Sequence, residues 1–190
     1  NYKHSDAFNV RFGKQKLPFT RVSLTSSSKQ LLIERPVSTE AAKTLFGDYY
    51  QPHLMLHGKN TTGTLAYMFA LTDGANAGAD AFSTSANGSS IYGSSKDADK
   101  DTQSSFAWVA RAELSPGMDW VEKGSKSDAW LGQGQHLTLG VDYGSQSGSK
   151  NVDSANTKAY DRKLLGVDLS GHLNSLSFQA EYNRMTVEET

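Results

Sequence analysis

The stretch QHLTLGVDYG, residues 135–144, alternates without a break: Leu137, Leu139, Val141 and Tyr143 on one face, Thr138, Gly140 and Asp142 on the other. Period two marks a half-buried β-strand, because successive side chains of an extended chain point to opposite faces. KLLGVDLSG (163–171) repeats it, with Leu165, Val167 and Leu169 opposing Gly166, Asp168 and Ser170. SLSFQAEYN (175–183) sets Leu176, Phe178, Ala180 and Tyr182 against Ser177, Gln179, Glu181 and Asn183. Upstream, Leu65, Tyr67, Phe69 and Leu71 form one apolar row; Phe106, Trp108, Ala110, Ala112 and Leu114 form another, against Arg111 and Glu113. Phe8, Val10 and Phe12 alternate with Asn9 and Arg11, and His53 to Gly58 is a shorter candidate. Seven or eight strands of this kind make the chain all-β.

The faces opposite the apolar rows carry charge, amide or glycine. Two architectures produce that pattern. A soluble β-sandwich turns the apolar faces inward, whereas a transmembrane barrel turns them outward to lipid and keeps a polar interior. Composition leans to the barrel: only 37% of residues are hydrophobic, which is lean for a soluble core but enough for a one-sided sheet. No run of apolar residues is long enough for a helical span, and with no cysteine there is neither a disulfide framework nor a thiolate metal site.

Connections lean the same way. GKNTTG (58–63) and GHLNS (171–175) are tight hairpin turns, whereas Gly74–Ser105 and Ser145–Tyr160 read as long polar loops. Short turns on one rim and long loops on the other are the outer-membrane arrangement, although Ser115–Gly134 is long for a turn. PVSTEAAKTLF (36–46) reads as a helix capped by Ser38 or Thr39, folded into the interior of a barrel or lying on the surface of a soluble protein. Phe19, Phe46, Tyr49, Tyr50, Tyr143, Tyr160 and Tyr182 fall near strand ends, as interfacial girdles do.

Signals for catalysis are weak. His53 and His57 share a strand face, but two histidines do not make a metal site. KDADKD (96–101) lacks the ligand spacing and glycine of a calcium loop, and no nucleophile elbow, phosphate loop or dinucleotide fingerprint occurs. Asp142, Asp168 and Glu181 lie on the polar side of neighbouring strands, so a sheet-based hydrolase with paired carboxylates is a minor alternative. Catalytic residues, cofactors and metals are therefore expected to be none. Nucleic acid is not an expected partner, since the net charge is −1.

That net charge hides a division. Residues 1–47 hold eight Lys/Arg against three acids, a surplus of five positive charges, which leaves −6 for the remainder. A basic N-terminal region could attract anions. Within it, FGKQKLPFT (12–20) carries Lys14 and Lys16 on the parity of Phe12, so alternation argues against both lysines facing the polar side; Arg11 is on that side.

Taken in order, Gly13, Lys14, Lys16, Pro18 and Phe19, then Thr25 and Ser26, then Glu34 and Arg35, then His136, Leu137, Leu139 and Gly140 resemble the phosphate-selective porin O/P family of bacterial outer membranes. One residue is inserted before the proline relative to the family pattern. The resemblance implies an antiparallel transmembrane β-barrel, sixteen-stranded and trimeric, that passes small anions such as phosphate through the outer membrane, in contact with its lipid and lipopolysaccharide. The chain ends in VEET where such barrels finish on Phe. Residues 1–190 are accordingly expected to form one porin-like region, a partial barrel incomplete at both ends; an eight-stranded closed barrel would leave almost no channel. Arg11, Arg21, Lys29, Arg35 and Arg111 are the candidate pore-lining or anion-attracting residues, with Glu34 and Arg35 a candidate structural ion pair. The alternative is a soluble β-sandwich or partial-barrel binding module.

Overall fold

The alternating rows become strands, and every neighbouring pair is antiparallel. A computed structural model describes residues 2–25, 30, 35–46, 50–74, 102–103, 105–116, 135–153, 156–173 and 176–189. In chain order the elements are β1 (Tyr2–Lys3), β2 (Asn9–Lys16), α1 (Arg21–Leu24), α2 (Val37–Thr44), β3 (Tyr50–Lys59), β4 (Leu65–Thr72), β5 (Thr102–Gln103), β6 (Ala107–Leu114), β7 (His136–Asp153), β8 (Asn156–Leu173) and β9 (Leu176–Glu189). One sheet results, in the order β1-β2-β3-β4-β6-β7-β8-β9, with β5 paired to β7 off that path. This meander is not closed. Closure needs a ladder between the first and last strands, and among the described residues β1, two residues long, pairs only with β2. The expected partial barrel is thus an open antiparallel sheet here.

The two faces differ in kind. Leu139, Val141, Tyr143, Leu165, Val167 and Leu169 are each between 37% and 41% exposed, while their neighbours Asp142, Asp168 and Ser170 are 1–2% exposed. The apolar face is bare and the polar face is covered, the reverse of a sandwich. What covers it is the connection between β2 and β3. Leu17, Phe19, Ala42, Leu45 and Phe46 from that inner segment form a core with Met55, Ala70, Ala107, Val109 and Leu164 from the sheet. Those sheet residues have the parity of the polar face. They are its apolar exceptions, and they mark where the segment docks: an apolar patch buries the segment's own apolar side chains at about 25 cal/mol per Å².

Three expectations change. Residues 145–160 are not a loop but the far end of the β7–β8 hairpin, whose ladder continues to Asp153↔Asn156 past a bulge between Gln146 and Ser149, where Gly148 takes φ 69°. A hairpin tip without an apolar row gives no alternation to read. Phe19 and Phe46 are fully buried in the core rather than in a girdle, whereas Tyr50, Tyr143 and Tyr182 are exposed. The side chains of Tyr49 and Tyr160 lie outside those described. Finally, α2 begins at Val37 with no side-chain cap, because the cap position is Pro36, which has no side-chain acceptor; the Thr39 hydroxyl donates to Glu181 instead.

By succession of antiparallel strands, the turns at 4–8 and 60–64 share one rim with the β8–β9 connection and with the start of the 115–135 connection. Ser115 ties that rim together, its N–H donating to Thr64 O at 2.7 Å and its hydroxyl lying 2.9 Å from that of Thr138. The inner segment leaves from the opposite rim.

Candidate functional site

On the covered face of β6, β7 and β8 the sequence LGVD, present at 139–142 and again at 165–168, meets its own copy in antiparallel register. Gly140 pairs with Asp168, Val141 with Val167, and Asp142 with Gly166, so each aspartate stands against the other's glycine. Arg111 of β6 lies opposite Asp142. Its Nη1 is 2.8 Å from Asp142 Oδ2 and 2.7 Å from Asp168 Oδ2, and its Nε donates to Glu113 Oε1 at 2.9 Å. The two glycines make room for this cluster. A Cβ on Gly140 would strike Arg111 Nη2 and Asp168 Oδ2, and one on Gly166 would strike Asp142 Oδ1. Charges buried this deeply persist only when paired, and a guanidinium forks between acceptors as no other side chain does.

The acids also grip the inner segment. Thr20 N–H donates to Asp142 Oδ2 at 3.3 Å, and Val22 N–H to Glu181 Oε2 at 3.2 Å. Glu181 Oε1 accepts from the Thr39 hydroxyl at 2.9 Å and from Asn183 Nδ2 at 2.8 Å. Thr20 caps α1, its hydroxyl accepting from Ser23 N–H at 3.1 Å, at a φ of 50° that a β-branched residue rarely adopts. At the other end of α1, Lys16 Nζ donates to the carbonyls of Ser23 at 2.9 Å and Thr25 at 3.3 Å. The end of β2 thus lets one of the two lysines reach inward after all, as a clamp on backbone oxygens. Lys14 is exposed.

The described candidate residues fall in four places. Arg21, 3% exposed, sits within electrostatic reach of His136, whose ring stacks on that of its cross-strand partner His172 at 6.4 Å. His172 Nδ1 is in turn 2.7 Å from the Ser177 hydroxyl. Arg11 lies on the covered-face side of β2 opposite Met55, with His53 and His57 diagonal to it, and makes no hydrogen bond or ion pair among the described residues. Arg35 is half-buried just before α2. Arg111 is enclosed by carboxylates. Lys29 and Glu34 lie outside the described residues, and so does the Glu34–Arg35 pair.

Asp142 and Asp168, the acids that a hydrolase would need in a cleft, are both buried against one guanidinium nitrogen. Among the described residues no group of three or more His, Asp or Glu is placed to hold a metal ion. Sequence reasoning noted the acids' parity but not their partner, nor the role of Glu181. The repeated LGVD was the available signal.

The family model described as phosphate-selective porin O and P matches residues 1–190, the same family that the motifs from Gly13 to Gly140 resemble. An uncharacterized protein of Aquifex aeolicus (strain VF5) is 39% identical over 191 residues, which cover 97% of this chain and 43% of the relative. The chain therefore spans less than half the length of that relative. No solved structure matches.

Proposed function

The chain belongs to the phosphate-selective porin O and P family of the bacterial outer membrane, and from that premise we propose that it forms part of the wall of a passive diffusion channel for small anionic solutes, phosphate among them. The observation that carries this reading is the sidedness of the sheet. A row of Leu, Val and Tyr stands bare on one face while buried charges fill the other, which suits a wall with lipid outside and an aqueous interior. Strands of 8 to 10 residues in β2, β3, β4 and β6 suit a tilted crossing of about 9–11 residues. On this reading residues 1–190 are one region of a larger barrel, the bare face meets outer-membrane lipid and lipopolysaccharide, and the complete protein is a homotrimer.

The anion-attracting set is then Arg11, Arg21, Lys29 and Arg35, with Glu34 steadying Arg35. Arg111 belongs to the wall instead: three carboxylates outweigh its charge. The inner segment, docked against the polar face, narrows the passage and brings Arg21 with it.

The test is the reversal potential of the full-length protein in a planar bilayer under a salt gradient. Anion preference is expected, and Arg11→Gln with Arg21→Gln is expected to reduce it. A full-length channel without anion preference overturns the choice of solute.

A further inference from the structure

We propose that Glu181 is the positioning residue that holds the inner segment in the channel and so sets its bore; this rests on the channel reading above. Its carboxylate, on the sheet, touches both helices of the segment. Oε2 takes the Val22 N–H of α1 and Oε1 the Thr39 hydroxyl of α2. Asn183, two residues along β9, donates to Oε1 and fixes the carboxylate's orientation.

The register explains why this acid needs the segment. Glu181 stands directly opposite Asp168, and like charges facing each other across strands are unfavourable unless each finds its own donors. Asp168 has Arg111. For Glu181 the donors are Asn183 and two groups of the segment. The segment is also held by its apolar core residues, with Phe46 packed over Gly144, by Lys16 on the Ser23 and Thr25 carbonyls, and by the Thr20 bond to Asp142. Loss of Glu181 leaves those contacts in place and releases the middle of α1, which carries Arg21, together with the first turn of α2. The passage then widens and the arginine loses its fixed position.

The experiment uses the full-length protein, with any cysteine outside residues 1–190 changed to serine, and Ala42→Cys as a reporter, since Ala42 is fully buried on the docked side of α2 and residues 1–190 have no cysteine. Glu181→Ala is expected to raise the labelling rate of that cysteine by a membrane-impermeant maleimide at least tenfold. Thr39→Val removes one bond from the segment side with the sheet untouched, and is expected to raise it less but in the same direction. Unitary conductance in planar bilayers is expected to rise in Glu181→Ala while anion preference falls. Labelling rates within twofold of the parent in both variants overturn the latch. Faster labelling with unchanged conductance and selectivity overturns its control of the bore. If the parent itself does not conduct, the channel reading fails, and labelling alone still decides whether Glu181 holds the segment.

Discussion

Replacing Arg111 with leucine tests the centre of the wall. The side chain is fully buried, with carboxylate oxygens at 2.7, 2.8 and 2.9 Å, so one guanidinium stands against three acids. Two unit charges 4 Å apart at an effective dielectric constant of about 20 attract by about 4 kcal/mol. That gain is offset by desolvation and by repulsion among the acids, and removing one member of a buried pair costs about 3–5 kcal/mol because the other is left uncompensated. Arg111→Leu is therefore expected to lose about 3–5 kcal/mol. Arg111→Lys is expected to fall between, since the three donors of an ammonium radiate from one point and do not span Glu113 and the two aspartates as Nε and Nη1 do. Adding Asp142→Asn and Asp168→Asn to the leucine variant is expected to recover most of the loss, because an amide oxygen in place of the Asp142 carboxylate can still accept from Thr20 N–H. The measurement is an equilibrium urea titration of the full-length protein in lipid vesicles, followed by tryptophan fluorescence. A loss below about 1 kcal/mol for Arg111→Leu, the range of an ordinary substitution, or no recovery on neutralising the two aspartates, refutes the account of a charge-compensated cluster.

Three further outcomes are expected in the same titration. Val167→Arg, on the bare face, costs about 2–4 kcal/mol if that face meets lipid, whereas on a water-facing sheet the change stays within about 0.5 kcal/mol. A Cβ on Gly144 would lie 2.7 Å from Phe46 Cε2, so Gly144→Ala is expected to cost about 1–3 kcal/mol by overpacking, with Phe46→Leu in the same chain relieving part of it. Thr20→Ala loses the cap of α1 at a cost of about 0.5–2 kcal/mol; Thr20→Gly is expected to be nearly neutral, because glycine adopts φ 50° without strain. Equal losses for the two Thr20 variants would show that backbone strain plays no part there.

The site was partly legible. Parity alone put Arg11, Arg111, Asp142, Asp168 and Glu181 on the polar side, and the covered face contains all of them. Parity does not say which strand lies beside which, or in what register. Arg111 therefore read as an anion-attracting group with no sign of its neighbours, and its register opposite Asp142 sets it among carboxylates. The same limit hid Glu181: its partners, Val22 and Thr39, are 159 and 142 residues away in the chain.

Alternation determined most of the strands and their apolar faces, because period two is a local property of an extended chain. Ordered motifs from Gly13 to Gly140 determined the family. Only the tertiary structure decided which face is covered, and by what. The docking of Leu17, Phe19, Ala42, Leu45 and Phe46 depends on a few apolar exceptions (Met55, Ala70, Ala107, Val109 and Leu164) scattered over four strands. They become one surface only when the ladders bring them side by side. The reach of the β7–β8 hairpin was likewise decided by backbone pairing, since its tip lacks the alternating row by which a strand is read from sequence.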